Sequence, residues 1–216
     1  MKNNIFDQFY TNPNTCEVLV RQINSFFDLS KFHFIEPAAG TGNFIDALYK
    51  IGVDVHERVH AYDIEPKSNN NITKCDFLKL DLKKMMKNKE TNIVITNPPF
   101  GKRGDLAIKF LNKSLEIADI VCMILPLTFE RYSVQSKIKT DAKLVYSIDI
   151  QPNSFIVNDR EYSVKCVFQI WVNPNVKLWL TDQRKQNNNL KIDGLELFIH
   201  NNTKNTLKYF NKKKYG

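Results

Sequence analysis

The tetrapeptide Asn97-Pro98-Pro99-Phe100 is the segment of this chain richest in chemistry. Two consecutive prolines fix φ and carry no N–H, so the carbonyls around them stand free to accept hydrogen bonds. A donor amine can be held there between the Asn97 side-chain oxygen and the Pro98 carbonyl. Two acceptors on one amine draw it toward tetrahedral geometry and expose its lone pair to an electrophilic methyl. Phe100 offers a flat face on which a planar ring can stack. A bare Pro-Pro ending a strand is commonplace, but here it is preceded by Asn and followed by an aromatic, directly after the apolar run Asn92–Thr96.

Three further segments share that placement at a strand end. Glu36-Pro37-Ala38-Ala39-Gly40-Thr41-Gly42-Asn43-Phe44 runs from an apolar strand straight into a helical pattern. Gly40 and Gly42 allow a tight turn and a close ligand approach, and the following helix N-terminus offers free N–H groups. The spacing is not GxGxxG and no Lys-Ser/Thr pair follows, so a nucleoside or amino-acid moiety fits better than a polyphosphate. The plain alternative is a glycine-rich turn with no ligand. Asp63, in Ala61-Tyr62-Asp63-Ile64-Glu65-Pro66, lies about 20 residues beyond this turn, the spacing at which an acid reaches ribose hydroxyls, and Glu65 is the next choice. In Cys75-Asp76-Phe77, Asp76 can accept from an exocyclic amine and Phe77 can flank a base. Taken singly, each acid is more often a cap than a ligand contact.

These segments must be positioned by the elements between them. Strand-like runs cover Phe32–Glu36, Arg58–Asp63, Ile72–Cys75, Asn92–Thr96, Ile120–Pro126, Leu144–Ile150 and Val164–Val172. Helical patterns cover Thr15–Phe27, Asn43–Ile51 and Leu106–Ala118. The alternation predicts an α/β fold with a mostly parallel sheet covered on both faces, whose ligands bind at the carboxyl ends of the strands. The last two strands are joined through Pro152–Tyr162 without a helix, which predicts an antiparallel hairpin at a sheet edge. The polar strings Ser68–Asn71 and Gln183–Asn189 read as loops or loosely held segments.

Composition narrows the class. With 216 residues the chain can build a core without disulfides or metals. Cys16, Cys75, Cys122 and Cys166 are far apart with no CxxC pair, which favours a reducing, intracellular setting. The longest apolar run, Ile120–Leu127, is too short to cross a bilayer, and the polar start predicts no signal peptide, so no membrane partner is expected. His33, His56, His60 and His200 form no metal-ligand pattern. The net charge of +8 makes an anionic partner such as nucleic acid plausible. Five of its lysines lie in residues 201–216, without which the charge falls to +3. A second cluster, Lys79, Lys83, Lys84, Lys87 and Lys89, reads as ordinary solvated surface.

From Asp7 to about Trp171 the chain resembles the class I S-adenosylmethionine-dependent methyltransferases, in particular the Asn-Pro-Pro-aromatic enzymes that methylate adenine N6. The resemblance implies a Rossmann-like seven-stranded sheet, mostly parallel with an antiparallel edge hairpin, and S-adenosylmethionine as cofactor. It implies cofactor contacts from Tyr10 and Thr11 in the segment Asp7-Gln8-Phe9-Tyr10-Thr11, from Glu36, Ala38, Gly40 and Gly42 in the glycine turn, and from Asp63, Asp76, Phe77 and Asn97. Asn97, Pro98, Pro99 and Phe100 match the catalytic tetrapeptide in full. The edge hairpin is similar to one whose aromatic packs on the flipped target base, with Phe155 the candidate and Tyr162 its competitor. Lys102 and Arg103, just after the tetrapeptide, are candidates for contacting the substrate. The substrate so implied is nucleic acid, DNA before RNA, with protein glutamine as a more distant alternative; a silent cofactor-binding subunit would show an eroded tetrapeptide or glycine turn, and neither is eroded. The catalytic domain is expected to span residues 1–175. Residues 176–216 then form a basic extension with no separate recognition domain, so contacts are expected mainly to phosphates, with a partner protein supplying any sequence specificity.

Overall fold

The computed structural model describes residues 9–68, 71–81, 92–176 and 180–187. The chain divides into two units, 1–186 and 187–216, and every described strand and helix belongs to the first. Lys83, Lys84, Lys87 and Lys89 of the basic cluster, and the 201–216 tail, lie outside the described residues.

Strand β1 (Tyr10–Thr11) leads into helix α1 (Pro13–Phe26), whose start is set by Pro13 at the first helical position and by the Asn12 side chain accepting from the Asn14 N–H. Then come β2 (His33–Glu36), α2 (Asn43–Lys50), the single turn α3 (Val55–Arg58), β3 (Val59–Asp63), β4 (Ile72–Lys74) and β5 (Asn92–Thr96). Helix α4 (Asp105–Ile117) follows, then β6 (Ile120–Pro126), the short α5 (Tyr132–Gln135), β7 (Lys143–Asp149), β8 (Phe155–Val157), β9 (Arg160–Tyr162) and β10 (Cys166–Val172).

Seven strands form one sheet in the order β4-β3-β2-β5-β6-β10-β7. The first five are mutually parallel, and β10 runs antiparallel between β6 and β7. The expected seven-stranded α/β sheet with an antiparallel edge is therefore present. Continuous apolar runs explain its centre: β6 and β10 are buried at almost every position, as strands covered on both faces must be. One core layer packs α1 and α2 onto the sheet through Leu19, Ile23, Leu48 and Phe168. The other packs α4 through Leu111, Leu115 and Trp171.

Two features differ from the sequence-based expectation. The link between the edge strands is itself structured: β8 and β9 pair with each other and β8 pairs with β1, making a small second sheet. Residues 183–185 of the string expected to be a loop or loosely held, together with Asp182 before them, are tied down instead. The Gln183 N–H donates to the Leu144 carbonyl at 2.7 Å, and Asp182 accepts from the Leu144 N–H. The Arg184 guanidinium sits over the Trp171 ring and donates to the carbonyls of Gln135, Lys139, Thr140 and Ala142. Among the described residues no helix is long and apolar enough to cross a membrane.

Candidate active site

Because β2, β3, β4 and β5 run parallel, their carboxyl ends deliver Glu36, Asp63, Asp76 and Asn97 to one edge of the sheet. The edge is where β2 has β3 on one side and β5 on the other, so the chain crosses over there and leaves a crevice. A cavity of about 370 Å³ occupies it, within the range of small-molecule and cofactor sites. Tyr10, Thr11, Glu36, Ala38, Gly40, Asp63, Asp76, Phe77, Asn97, Pro98, Pro99 and Phe100 all line this cavity. Gly42 is not in the wall; at φ +84° it starts helix α2.

The glycine turn is held from two sides. The Gly40 N–H donates to Asp63 Oδ2 at 2.7 Å, and the Glu65 N–H donates to Asp63 Oδ1 at 2.7 Å. Asp63 thus fixes the turn and its own loop, leaving only its remaining lone pairs for a ligand. A Cβ at Gly40 would lie 3.0 Å from the Tyr10 ring, and the residue sits at φ +51°, so this position requires glycine on both counts. Asp76 caps a turn of 3-10 helix by accepting from the Leu78 N–H.

Charge defines what the cavity accepts. Glu36, Asp63, Glu65 and Asp76 line it, and among the described residues no lysine or arginine does. A polyphosphate would be repelled there, whereas a ligand carrying a sulfonium and an ammonium is attracted. Glu36 is 2 % exposed and its Oε2 has no hydrogen-bond partner. Burial, then Asp63 and Asp46, hold its carboxyl well above the usual carboxylate range. Such an orphaned buried acceptor fits a cationic cofactor that supplies the missing partner.

Asn97 is the best defined of the candidate groups. Its Nδ2 donates to the Phe9 carbonyl at 2.8 Å, and its Oδ1 is buried with no partner. The oxygen that should accept from a substrate amine is therefore free. Pro98 is buried, while Pro99 and Phe100 are half-buried at the cavity wall.

Other candidates stand differently. Phe77 is 1 % exposed and packs on Phe110, so only part of its ring reaches the cavity. Lys102 and Arg103 are exposed and outside the cavity wall. Phe155 is fully buried beneath Phe9, which corrects the expectation that its ring meets a bound base. Tyr162, 51 % exposed and stacked on Phe9, presents the free ring of the hairpin instead. Three contributors were not read from the sequence in these roles: Phe9, through its carbonyl; Asn43, whose Nδ2 donates to the Thr11 carbonyl at 2.7 Å; and Cys75 in the cavity wall. Asn43 sits right after the glycine turn, where a side chain must face either the ligand or the segment crossing it.

Comparison with known proteins agrees with this geometry. The family model for the EDM2 methyltransferase-like domain matches residues 45–206. No curated protein matches the chain. A putative class I S-adenosylmethionine-dependent methyltransferase of Listeria monocytogenes superposes with a TM-score of 0.57 at 14% identity, over 80% of this chain and 63% of that one. This chain thus spans less than two thirds of that protein's length. The type IIG restriction endonuclease BpuSI superposes with a TM-score of 0.56 at 16% identity, over 77% of this chain and 26% of that one. A putative RNA methyltransferase of Pyrococcus horikoshii gives a TM-score of 0.54 at 19% identity, over 80% and 92%. At these identities the shared property is the class I methyltransferase fold.

Proposed function

The chain belongs to the EDM2 methyltransferase-like domain family, and on that premise we propose that it methylates an exocyclic amine of nucleic acid, adenine N6, with DNA preferred over RNA. S-adenosylmethionine is the cofactor, and when bound it supplies a methyl group made electrophilic by its sulfonium.

The chain's own residues do the rest. Glu36 and the other carboxylates of the cavity balance the cofactor's positive charge, and the N–H groups of the glycine turn and the start of α2 stand beside it. Asp63 braces the turn and Asp76 faces the adenine end. Asn97 Oδ1 and the Pro98 carbonyl accept the two protons of the target amine, so its lone pair points at the methyl carbon. Phe100 and Tyr162 take the flat faces of the base. With the cofactor bound, the amine held by Asn97 and Pro98 would take the methyl group and give up a proton to solvent, and the sulfur would leave as a neutral thioether. Holding nucleophile and electrophile in line contributes much of the rate.

The observation that carries this reading is the buried, unpartnered Asn97 Oδ1 beside a cavity whose charged lining groups, among the described residues, are all carboxylates. Preference for nucleic acid draws on the +8 charge and on the tetrapeptide, and BpuSI is an instance of this fold in a restriction endonuclease. The extension from residue 176 onward and a partner protein remain the proposed sources of DNA contact and specificity. Transfer of tritiated methyl to unmodified DNA, total RNA and protein in parallel tests the substrate class. Label mainly in DNA is the expected result; label confined to protein would overturn it.

A further inference from the structure

An asparagine amide can occupy its site in two orientations related by a half-turn, and only one puts an acceptor in front of an amine. In the other, the NH2 group would face the amine, donor to donor. Orientation therefore decides whether Asn97 can work, and the tetrapeptide itself contains nothing that selects it.

The selecting group lies 88 residues away in sequence. The Phe9 carbonyl accepts from Asn97 Nδ2 at 2.8 Å. With the amide turned over, two oxygens would meet at that distance with no proton between them, a repulsive contact in a site sheltered from water. The Phe9 carbonyl is in turn held in place. Tyr10 and Thr11 pair with Ile156 and Phe155 of β8, and the Asn12 N–H donates to the Ser154 carbonyl at 2.8 Å. Asn43 grips the Thr11 carbonyl from the start of α2. The Phe9 ring stacks on Tyr162 at 5.8 Å and meets Phe155 edge-on at 6.4 Å.

We propose that Phe9 is a positioning residue for methyl transfer: its backbone carbonyl locks the Asn97 amide with Oδ1 toward the substrate amine. The inference rests on the proposed function, in which Asn97 accepts from that amine.

The Asn97→Asp variant separates the two ideas. A charged carboxylate there would set one oxygen against the Phe9 carbonyl, acceptor to acceptor. Only the protonated acid can donate to Phe9 and still accept from the amine with its other oxygen. The titratable groups around the same cavity are Glu36 from β2, Asp63 at the end of β3 and Glu65 after it, Cys75 and Asp76 after β4, Tyr10 from β1 and Cys16 from α1. Its carboxylates all push a new acid toward its protonated form. Rates at saturating cofactor are measured from pH 5.5 to 8.5 and divided by the wild-type rate at each pH, which removes titrations common to both. The quotient should fall about tenfold for each pH unit above the new acid's pKa. A quotient that rises with pH overturns the inference, and a flat one passes the decision to the ester variant that follows. Should Asn97→Asp be inactive throughout, or its quotient flat, the Phe9 carbonyl is weakened directly by replacing Tyr10 with its α-hydroxy acid, which makes that linkage an ester. A drop in kcat of about 5-fold or more, with KM for cofactor within about twofold, then supports the lock, and an unchanged kcat refutes it. Asn97→Ala serves as the reference. If it retains the wild-type rate, the role of Asn97 itself is wrong; if it is slow while Asn97→Asp fails the pH test, only the role of Phe9 is.

Discussion

Glu36→Gln should make the free protein more stable and the cofactor complex weaker, an opposition that follows from one unpartnered oxygen. The Glu36 carboxyl is buried without a partner for Oε2, and burial together with Asp63 and Asp46 raises its pKa well above the ordinary value. An acid whose folded pKa is raised binds more protons folded than unfolded between the two values. In that window, which opens near the unfolded value of about 4.3, stability falls as pH rises, by about 1.4 kcal/mol per pH unit for one proton. Glutamine does not titrate, so the variant escapes the loss. For a domain of this size that corresponds to about 3 to 6 °C in Tm gained over the wild type per pH unit, until the folded pKa is passed. Binding should move the other way. Losing a hydrogen bond to a charged group costs about 1.5 to 3 kcal/mol, or about 10- to 150-fold in Kd for the cofactor. Thermal melts from pH 4.5 to 8 follow the first effect, and calorimetry with S-adenosylmethionine follows the second. Calorimetry in buffers of differing ionisation enthalpy should also show wild-type Glu36 releasing a proton on binding, and the variant not. A difference in Tm independent of pH would refute the placement of Glu36 as a buried, uncompensated acid; unaltered affinity would refute its role toward the cofactor.

Gly40→Ala should lose about 1 to 3 kcal/mol of stability in urea titration and bind cofactor at least about tenfold more weakly, because the position holds a left-handed backbone that alanine resists and the new methyl meets the Tyr10 ring at 3.0 Å. Cys122 and Cys166 are buried, and burial pushes the Cys166 thiol up to about 12, so neither should react with a maleimide at pH 8. Cys75, half-buried in the cavity wall, should react slowly, and S-adenosylhomocysteine should protect it in a mass-spectrometric time course; protection absent at saturation would place the ligand elsewhere. Arg184→Ala should cost about 2 to 4 kcal/mol in urea titration, since several backbone carbonyls lose a charged donor and Trp171 loses its cover.

How far the sequence foretells the structure depends on how much information each segment carries. Strands β5 and β6 begin and end at the expected residues, because long apolar runs bounded by polar or proline positions leave little choice. The order of motifs along the chain also places Glu36, Asp63, Asp76 and Asn97 together, since parallel strands deliver their carboxyl ends to one edge. The very short strands of the second sheet, β1, β8 and β9, have no period to recognise and exist because they pair with one another. That is also why Phe155 and Tyr162 exchange places: which ring of a hairpin is covered depends on Phe9, which arrives from the opposite end of the chain. Arg184 lies in a polar string, and its task as a donor to carbonyls of the 135–142 segment is visible only once that segment's carbonyls converge. Likewise a sequence motif names Asn97 but cannot show which end of its amide faces the substrate.

In the proposed function, Asn97 Oδ1 presents an exocyclic amine, not a ring atom, to the methyl donor. The direct measurement is the position of the methyl group in the product: unmodified DNA treated with the wild-type chain and with Asn97→Ala, digested to nucleosides and analysed by mass spectrometry. The wild type should give N6-methyladenine, and the variant a turnover lower by about 100-fold or more with cofactor affinity nearly unchanged. A methyl on ring carbon or ring nitrogen, or an Asn97→Ala enzyme as fast as the wild type, would contradict it.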